Sequence, residues 1–336
     1  MAILNAAVIG MGVGEKHALA YENHQNIYLK TVCDFDLGKL NNLKTKFPNV
    51  SMETNDQSIL ENEDIDIVSI ASYDNFHSNQ IIQALNNGKH VMSEKPLCLT
   101  LEEMIKIHAV HKQNKNLKLS ANHVLRSNSR FKKFKKDINA GKFGDVFYLE
   151  GDYYWGRRQK LFGWRAEMKF YSIILGAAIH MIDLVMWLLG TRPVSVQAIG
   201  NDIFNKNTKL KFNSFAVILI KFENGVIAKI TGNGGCVHPH YHGLKVFGTK
   251  RTAIHNLDGA VYLTSSEPDS APIPIDDPYP EKEARQKIIH SFVDSILDHT
   301  IAPIVTDNDV YDVMSVCFAA EEAMNTGNSI SIKYLN

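Results

Sequence analysis

The feature that most constrains this chain is a glycine cluster, Gly10-Met11-Gly12-Val13-Gly14, directly behind the apolar run Ala6-Ala7-Val8-Ile9. A buried strand that ends in closely spaced glycines and feeds a helix is the opening of a parallel βαβ unit. Glycine permits the tight turn and lets backbone N–H groups reach an anion at the helix N-terminus. Up to about residue 121 the chain repeats this rhythm. Residues 29–33, 65–70, 90–92 and 117–121 read as short apolar strands, separated by helix-like segments such as 81–87, which stops at Gly88. Strands alternating with helices at this spacing form parallel sheets covered on both faces. The first domain is therefore expected over residues 1–121, as an α/β doubly wound sheet of Rossmann type.

Beyond residue 121 the rhythm changes. A basic helix-like stretch (131–140) leads to a strand (145–154), and a long apolar helix (172–189) is stopped by Gly190, with Pro193 just beyond. Strand-like runs follow at 194–199, 214–222, 226–231, 244–247 and 252–255, and Asn224-Gly225 marks a hairpin between two of them. Residues 265–280 hold five prolines and read as an exposed loop, and helices at 281–297 and 307–325 close the chain. The second domain, 122–336, is expected to be α+β, an open and mainly antiparallel sheet backed by helices, serving substrate binding and oligomerisation.

Composition narrows the class of partner. Lys plus Arg number 36 and Asp plus Glu 36, a balance that argues against nucleic acid as a partner. No apolar run approaches the ~20 residues of a membrane span. No basic leader precedes the first apolar run, so a cytoplasmic location and no membrane partner are expected. Cys33, Cys98, Cys236 and Cys317 are scattered without pairing, which signals neither disulfides nor a zinc site.

In the first domain the third glycine comes one residue earlier than the usual GxGxxG spacing, with Glu15 in the expected place. Asp34 ends the next strand, 24 residues after Gly10. A carboxylate there accepts hydrogen bonds from the ribose hydroxyls and repels a 2′-phosphate. Phe35 and Asp36 follow it rather than Arg or Ser, so NAD is the expected cofactor and NADP the less favoured one. Gly10, Gly12, Val13, Gly14 and Asp34 are the expected cofactor contacts.

Three further motifs complete a pattern: Gly88-Lys89-His90-Val91, Glu94-Lys95-Pro96-Leu97, and His180-Met181-Ile182-Asp183 on the apolar helix. With the glycine turn and Asp34 they resemble the Gfo/Idh/MocA family of NAD(P)-dependent oxidoreductases, across most of the chain. The resemblance implies hydride exchange between a nicotinamide and a hydroxyl or ketone carbon of a sugar, cyclitol or sugar derivative. It implies Lys95 and His180 as the catalytic pair, and a cis bond between Lys95 and Pro96. Ala71, Ser72, Asn75 and His77 match the family's cofactor loop, and Glu94, Lys95, Pro96, Trp164 and Arg165 join the expected cofactor contacts. The chemistry suits those residue types: a histidine titrates near neutrality and can take the alcohol proton. A lysine ammonium stabilises the developing alkoxide.

One departure stands out. Members commonly carry an aspartate four residues before the helix histidine, one turn away on the same face. Here that position is Gly176. Asn122, Tyr153, Asp183 and His240, together with Lys95, His180 and Arg165, are the expected substrate contacts. His238, His240 and His242 alternate, but the pattern lacks a known metal-ligand spacing, so no metal is expected. The expected assembly is a homodimer or homotetramer. Two other readings stay open: a non-catalytic dinucleotide sensor of the same fold, and a nucleotide-sugar ketoreductase.

Overall fold

The computed structural model describes residues 3–335. The chain packs as two compact units: the residues up to Ser127 with Lys282–Tyr311, and Asn128–Glu281 with the residues from Asp312 onward. The division expected from sequence, one cut after residue 121, differs from this. The chain leaves the first unit slightly later and returns to it through Ala284–Leu297. That helix buries Ile288, Ile289, Phe292 and Val293 and packs on the helix that follows the glycine turn. Amphipathic spacing shows which face a helix buries, not what covers it.

In the first unit, strands β1 (Leu4–Ile9), β2 (Ile27–Cys33), β3 (Ser51–Glu53), β4 (Ile67–Ile70), β5 (His90–Ser93) and β6 (Leu119–Ala121) form one sheet in the order β3-β2-β1-β4-β5-β6. Every neighbouring pair is parallel. Helices α1 (Gly14–Glu22), α2 (Leu37–Leu43), α3 (Gln57–Leu60), α4 (His77–Asn86) and α5 (Leu101–Gln113) connect them. The order reverses between β1 and β4, and in doubly wound sheets the crevice outside the carboxyl ends at such a reversal is where ligands bind. Local signals agree with the fold: Thr100 and Glu103 form a capping box at the start of α5. β3 was not legible in the sequence, because three half-polar residues carry no apolar run.

In the second unit, α6 (Ser129–Asn139), β7 (Val146–Tyr154) and α7 (Gln159–Phe162) precede the apolar helix. That helix opens as a π-helical turn, Ile174–Ala178, and continues as α8 (Ile179–Leu189) to Gly190, whose φ of 67° makes the left-handed cap. Strands β8 (Pro193–Asn201), β9 (Phe215–Phe222), β10 (Ile227–Asn233), β11 (Tyr241–Gly248), β12 (Thr252–Asn256), β13 (Gly259–Leu263) and β14 (Ile273–Pro274) follow. The chain then forms α9 (Ala284–Leu297) in the first unit and α10 (Asp307–Thr326), most of which belongs to the second, and β15 (Ile330–Ser331) is last. The sheet runs β14-β13-β12-β11-β7-β10-β9-β8-β15. All its pairs are antiparallel except β7 with β10. The hairpin at Asn224-Gly225 joins β9 to β10 as expected, with Gly225 at φ 84°. α8 packs on β7 and β10, so one sheet face is covered by the helix that carries His180.

Candidate active site

At the carboxyl edge of the parallel sheet the glycines are required by close approach. Gly10 has φ 89°, and a Cβ there would lie 2.4 Å from the Ala71 carbonyl oxygen beyond β4. A Cβ on Gly14 would meet Val8 Cγ1 at 2.8 Å and Ala71 Cβ at 3.1 Å. Gly14 thus allows the tight helix-on-strand packing that the third glycine of the usual spacing supplies. Gly12 faces open space, and no side chain caps the N-terminus of α1, so its first N–H groups suit a pyrophosphate. Val13 is half-buried beside them.

Asp34 stands at the end of β2. Its Oδ2 accepts from the Met11 N–H at 2.8 Å and from Lys39 Nζ at 2.7 Å, and its Oδ1 accepts from the Asp36 N–H at 3.0 Å. The carboxylate is therefore fixed against the glycine turn at the carboxyl end of β2. Lys39 was not expected there; it sits five residues on, with its charge engaged by Asp34.

The loop after β4 mixes exposed and structural groups. Asn75 is exposed and Ser72 half-buried, with Ser72 Oγ donating to Gln80 Oε1 at 2.6 Å. His77 is fully buried: its Nδ1 lies 2.7 Å from the Pro96 carbonyl and its Nε2 3.3 Å from the Ser72 carbonyl. Its ring ties the loop after β4 to the loop after β5.

The Glu94-Lys95-Pro96 turn follows β5, and the Lys95–Pro96 bond is cis. Glu94 is the pivot of a buried network. Its Oε1 lies 3.1 Å from His17 Nε2, accepts from Asn122 Nδ2 at 2.7 Å, and is 3.7 Å from Arg285 Nε. Its Oε2 faces the Lys95 N–H at 3.3 Å. Burial by itself would raise this carboxyl, yet the His17 hydrogen bond, the Arg285 guanidinium and the Asn122 amide hold it far below the usual range. A fixed anion thus anchors the backbone that presents Lys95, which is itself half-buried. Asn122 and Glu94, expected to touch ligands, spend these groups on one another. His17 and Arg285 were missed. His17 lies on the buried face of α1, three residues after Gly14, which was a usable signal; Arg285 had none, because its helix returns from far along the chain.

In the second unit His180 begins α8, and its ring lies flat on Tyr153, with centroids 5.3 Å apart and 4° between planes. Tyr153 is the centre of an aromatic cluster, with Trp155 at 5.8 Å, His240 at 5.3 Å and His242 at 5.0 Å. His180 and His242 are 5.6 Å apart edge to face. His240 Nδ1 lies 2.9 Å from the Trp155 carbonyl, and burial, with Arg157 nearby, lowers its pKa. His242 Nδ1 is hydrogen-bonded to the Tyr279 hydroxyl, and burial raises that phenol well above its ordinary value. The three alternating histidines therefore split: His242 meets His180, His240 packs on Tyr153 and His242, and His238 stacks on Tyr154 at 4.1 Å. Asp183 is buried one turn after His180. Arg165 lies 4.1 Å from the Trp164 ring and 5.4 Å from that of Trp155, at the border of the cluster.

A nucleotide edge built on glycines and Asp34, and a histidine-bearing helix beside an aromatic cluster, define a class: two-domain oxidoreductases with a Rossmann unit and a second sheet. The profile described as "Oxidoreductase family, NAD-binding Rossmann fold" matches residues 4–123, and the "GFO/IDH/MocA C-terminal domain" matches residues 131–254. The chain belongs to the GFO/IDH/MocA family of oxidoreductases, and its first unit is an NAD-binding Rossmann domain. It is 27% identical over 255 residues to 1-carboxy-3-chloro-3,4-dihydroxycyclohexa-1,5-diene dehydrogenase of Comamonas testosteroni. That alignment takes in 73% of this chain and 61% of the relative's length. Myo-inositol 2-dehydrogenase from Lactobacillus plantarum superposes with a TM-score of 0.83 at 24% identity, covering 98% of this chain and 100% of that one. Levoglucosan dehydrogenase in complex with NADH and L-sorbose gives 0.86 at 20% identity, covering 100% of both chains. Among the described residues, no helix is long and apolar enough to cross a membrane.

Proposed function

We propose that the protein is an NAD-dependent dehydrogenase of a ring-shaped polyol, a cyclitol or cyclic sugar, in which Lys95 and His180 handle the hydroxyl proton. The observation that carries this reading is the Glu94 network. A buried anion held by His17, Asn122 and Arg285 has one evident use at the carboxyl edge of the sheet, which is to fix the turn that presents the Lys95 ammonium. The nicotinamide accepts hydride at C4 when bound. Lys95 donates to the reacting oxygen and stabilises negative charge as the proton leaves. His180 takes that proton, its ring plane set by the stack on Tyr153.

The second unit suits a ring bearing several hydroxyls. Tyr153, Trp155, His240 and His242 gather ring carbons and ring nitrogens in one cluster, a composition that suits both the C–H groups and the hydroxyls of such a ring. The names of the relatives support the substrate class: a dihydroxycyclohexadiene, an inositol and levoglucosan. The outward face of the second sheet exposes Ile199, Leu219 and Ile227, which supports a homodimer or homotetramer. The sensor reading is disfavoured, since a sensor needs no fixed lysine and no stacked histidine. The test is NADH formation with inositols, anhydrosugars and free sugars as substrates. Turnover of at least one ring polyol with NAD is expected; turnover of none, with NADH bound, would favour the sensor.

A further inference from the structure

Gly176 removes the carboxylate that members of the family commonly place one turn before the helix histidine, and the structure shows what stands in its place. A Cβ built on Gly176 would lie 2.3 Å from the Tyr171 hydroxyl oxygen, 2.9 Å from its Cζ and 3.2 Å from its Cε2. The phenol oxygen thus occupies the volume into which any side chain at 176 would project. Its distance from that Cβ is comparable to the distance between Cβ and a carboxylate oxygen within one aspartate. Tyr171 is fully buried, so this oxygen is held by packing and not by solvent.

The local backbone is shaped around the exchange. Ser172 Oγ accepts from the Leu175 N–H at 2.9 Å and donates to Glu321, which fixes the start of the turn beside Tyr171. The turn from Ile174 to Ala178 is π-helical, a widening found mostly at functional sites. Residues one turn apart on a helix have Cβ atoms about 5–6 Å apart. A hydroxyl at the side-chain position of 176 is therefore within reach of the His180 imidazole. Hydrogen bonds of this kind often tighten only when substrate is in place.

We propose that Tyr171 is the positioning residue for His180, its neutral phenol oxygen filling the place of an absent carboxylate and set to accept from the histidine ring N–H in the working holoenzyme. The inference rests on His180 being the base of the proposed reaction. It explains why position 176 is glycine: any larger residue collides with the group that replaces its function. A neutral acceptor also stabilises a charged imidazole less than a carboxylate does.

The test compares the wild type with Tyr171→Phe, which keeps the ring and removes only the oxygen. With a substrate found in the polyol survey, kcat falls roughly 10-fold or more while NADH affinity stays unchanged. The acid limb of the kcat profile moves to lower pH. Gly176→Ala, which pushes into the hydroxyl, lowers kcat similarly, and its effect is not additive with Tyr171→Phe. Tyr171→Ala combined with Gly176→Asp recovers activity over Tyr171→Ala alone and moves the acid limb to higher pH. A second readout needs no turnover: the ¹⁵N titration of the His180 ring in the holoenzyme, assigned by its loss in His180→Asn. Tyr171→Phe is expected to lower that pKa. An unchanged His180 titration in Tyr171→Phe overturns the inference, whether or not a substrate is found. A wild type inactive on every polyol, with a His180 titration that still responds to Tyr171→Phe, overturns the substrate reading alone.

Discussion

Two buried glutamates, one in each unit, meet opposite fates. Glu94, under the Lys95 turn, is surrounded by His17, Asn122 and Arg285, and is held far below the ordinary range despite its burial. Glu321, on α10, accepts from the Ser172 hydroxyl, and burial pushes its pKa up to about 7. Burial raises both carboxyls, and the donor set decides which of them stays an anion. The same difference holds for the surroundings of Lys95 in one unit and of His180 in the other. Beside Lys95 the buried Glu94 is ionised and hydrogen-bonded on more than one side. His180 stands among the rings of Tyr153 and His242, and the turn that leads into its helix meets Glu321 through Ser172.

The sharpest way to break this contrast is to remove the charge that the first half presents. Lys95→Met should lower kcat by roughly 10³-fold or more, from the combined loss of proton handling and alkoxide stabilisation. NADH titrated by fluorescence should still bind within about twofold of the wild type if the role is chemical. Glu94→Gln is expected to cost roughly 1–3 kcal/mol at pH 7, because the hydrogen bonds persist while the buried charge partner of Arg285 is lost. The folded pKa of Glu94 is depressed, so its stabilisation is present above the usual glutamate range and fades as pH falls through and below that range. Urea unfolding of wild type and variant should therefore converge in acid.

Glu321→Gln should show the reverse sign. Its folded pKa is raised, so the wild type has the benefit below the usual glutamate range and loses it as pH rises through about 7. At pH 8 the glutamine variant should be the more stable by roughly 1–3 kcal/mol, with little difference at pH 5. The smallest effect is expected at the nucleotide end. Asp34→Ala removes the ribose acceptor and releases Lys39 toward a 2′-phosphate, so the NADP-to-NAD ratio of kcat/KM should rise about tenfold.

Much of this arrangement was legible in sequence because it is local. The glycine turn, Asp34 at a strand end, the Lys95-Pro96 turn, His180 on an apolar helix and the Asn224-Gly225 hairpin each follow from residues within one element or its edge. What was not legible depends on chain return. Arg285 reaches Glu94 only because α9 packs back on α1, and Tyr279 reaches His242 from the proline-rich loop read as merely exposed. His77 and Asn122 carried the right residue types for ligand contact, but burial commits them to Pro96, Ser72 and Glu94. Gly176 is visible in the sequence as a departure, yet only the fold brings the Tyr171 oxygen into the space it leaves.

The most direct measurement follows NADH absorbance with NAD and a panel of inositols, anhydrosugars and free sugars, in wild type, Lys95→Met and His180→Asn. Turnover of at least one ring polyol by the wild type is expected, falling at least 10²-fold in each variant with NADH affinity retained. Wild-type rates persisting in either variant would contradict a proton-handling role for that residue. Bound NADH with no turnover of any polyol would contradict the dehydrogenase reading itself.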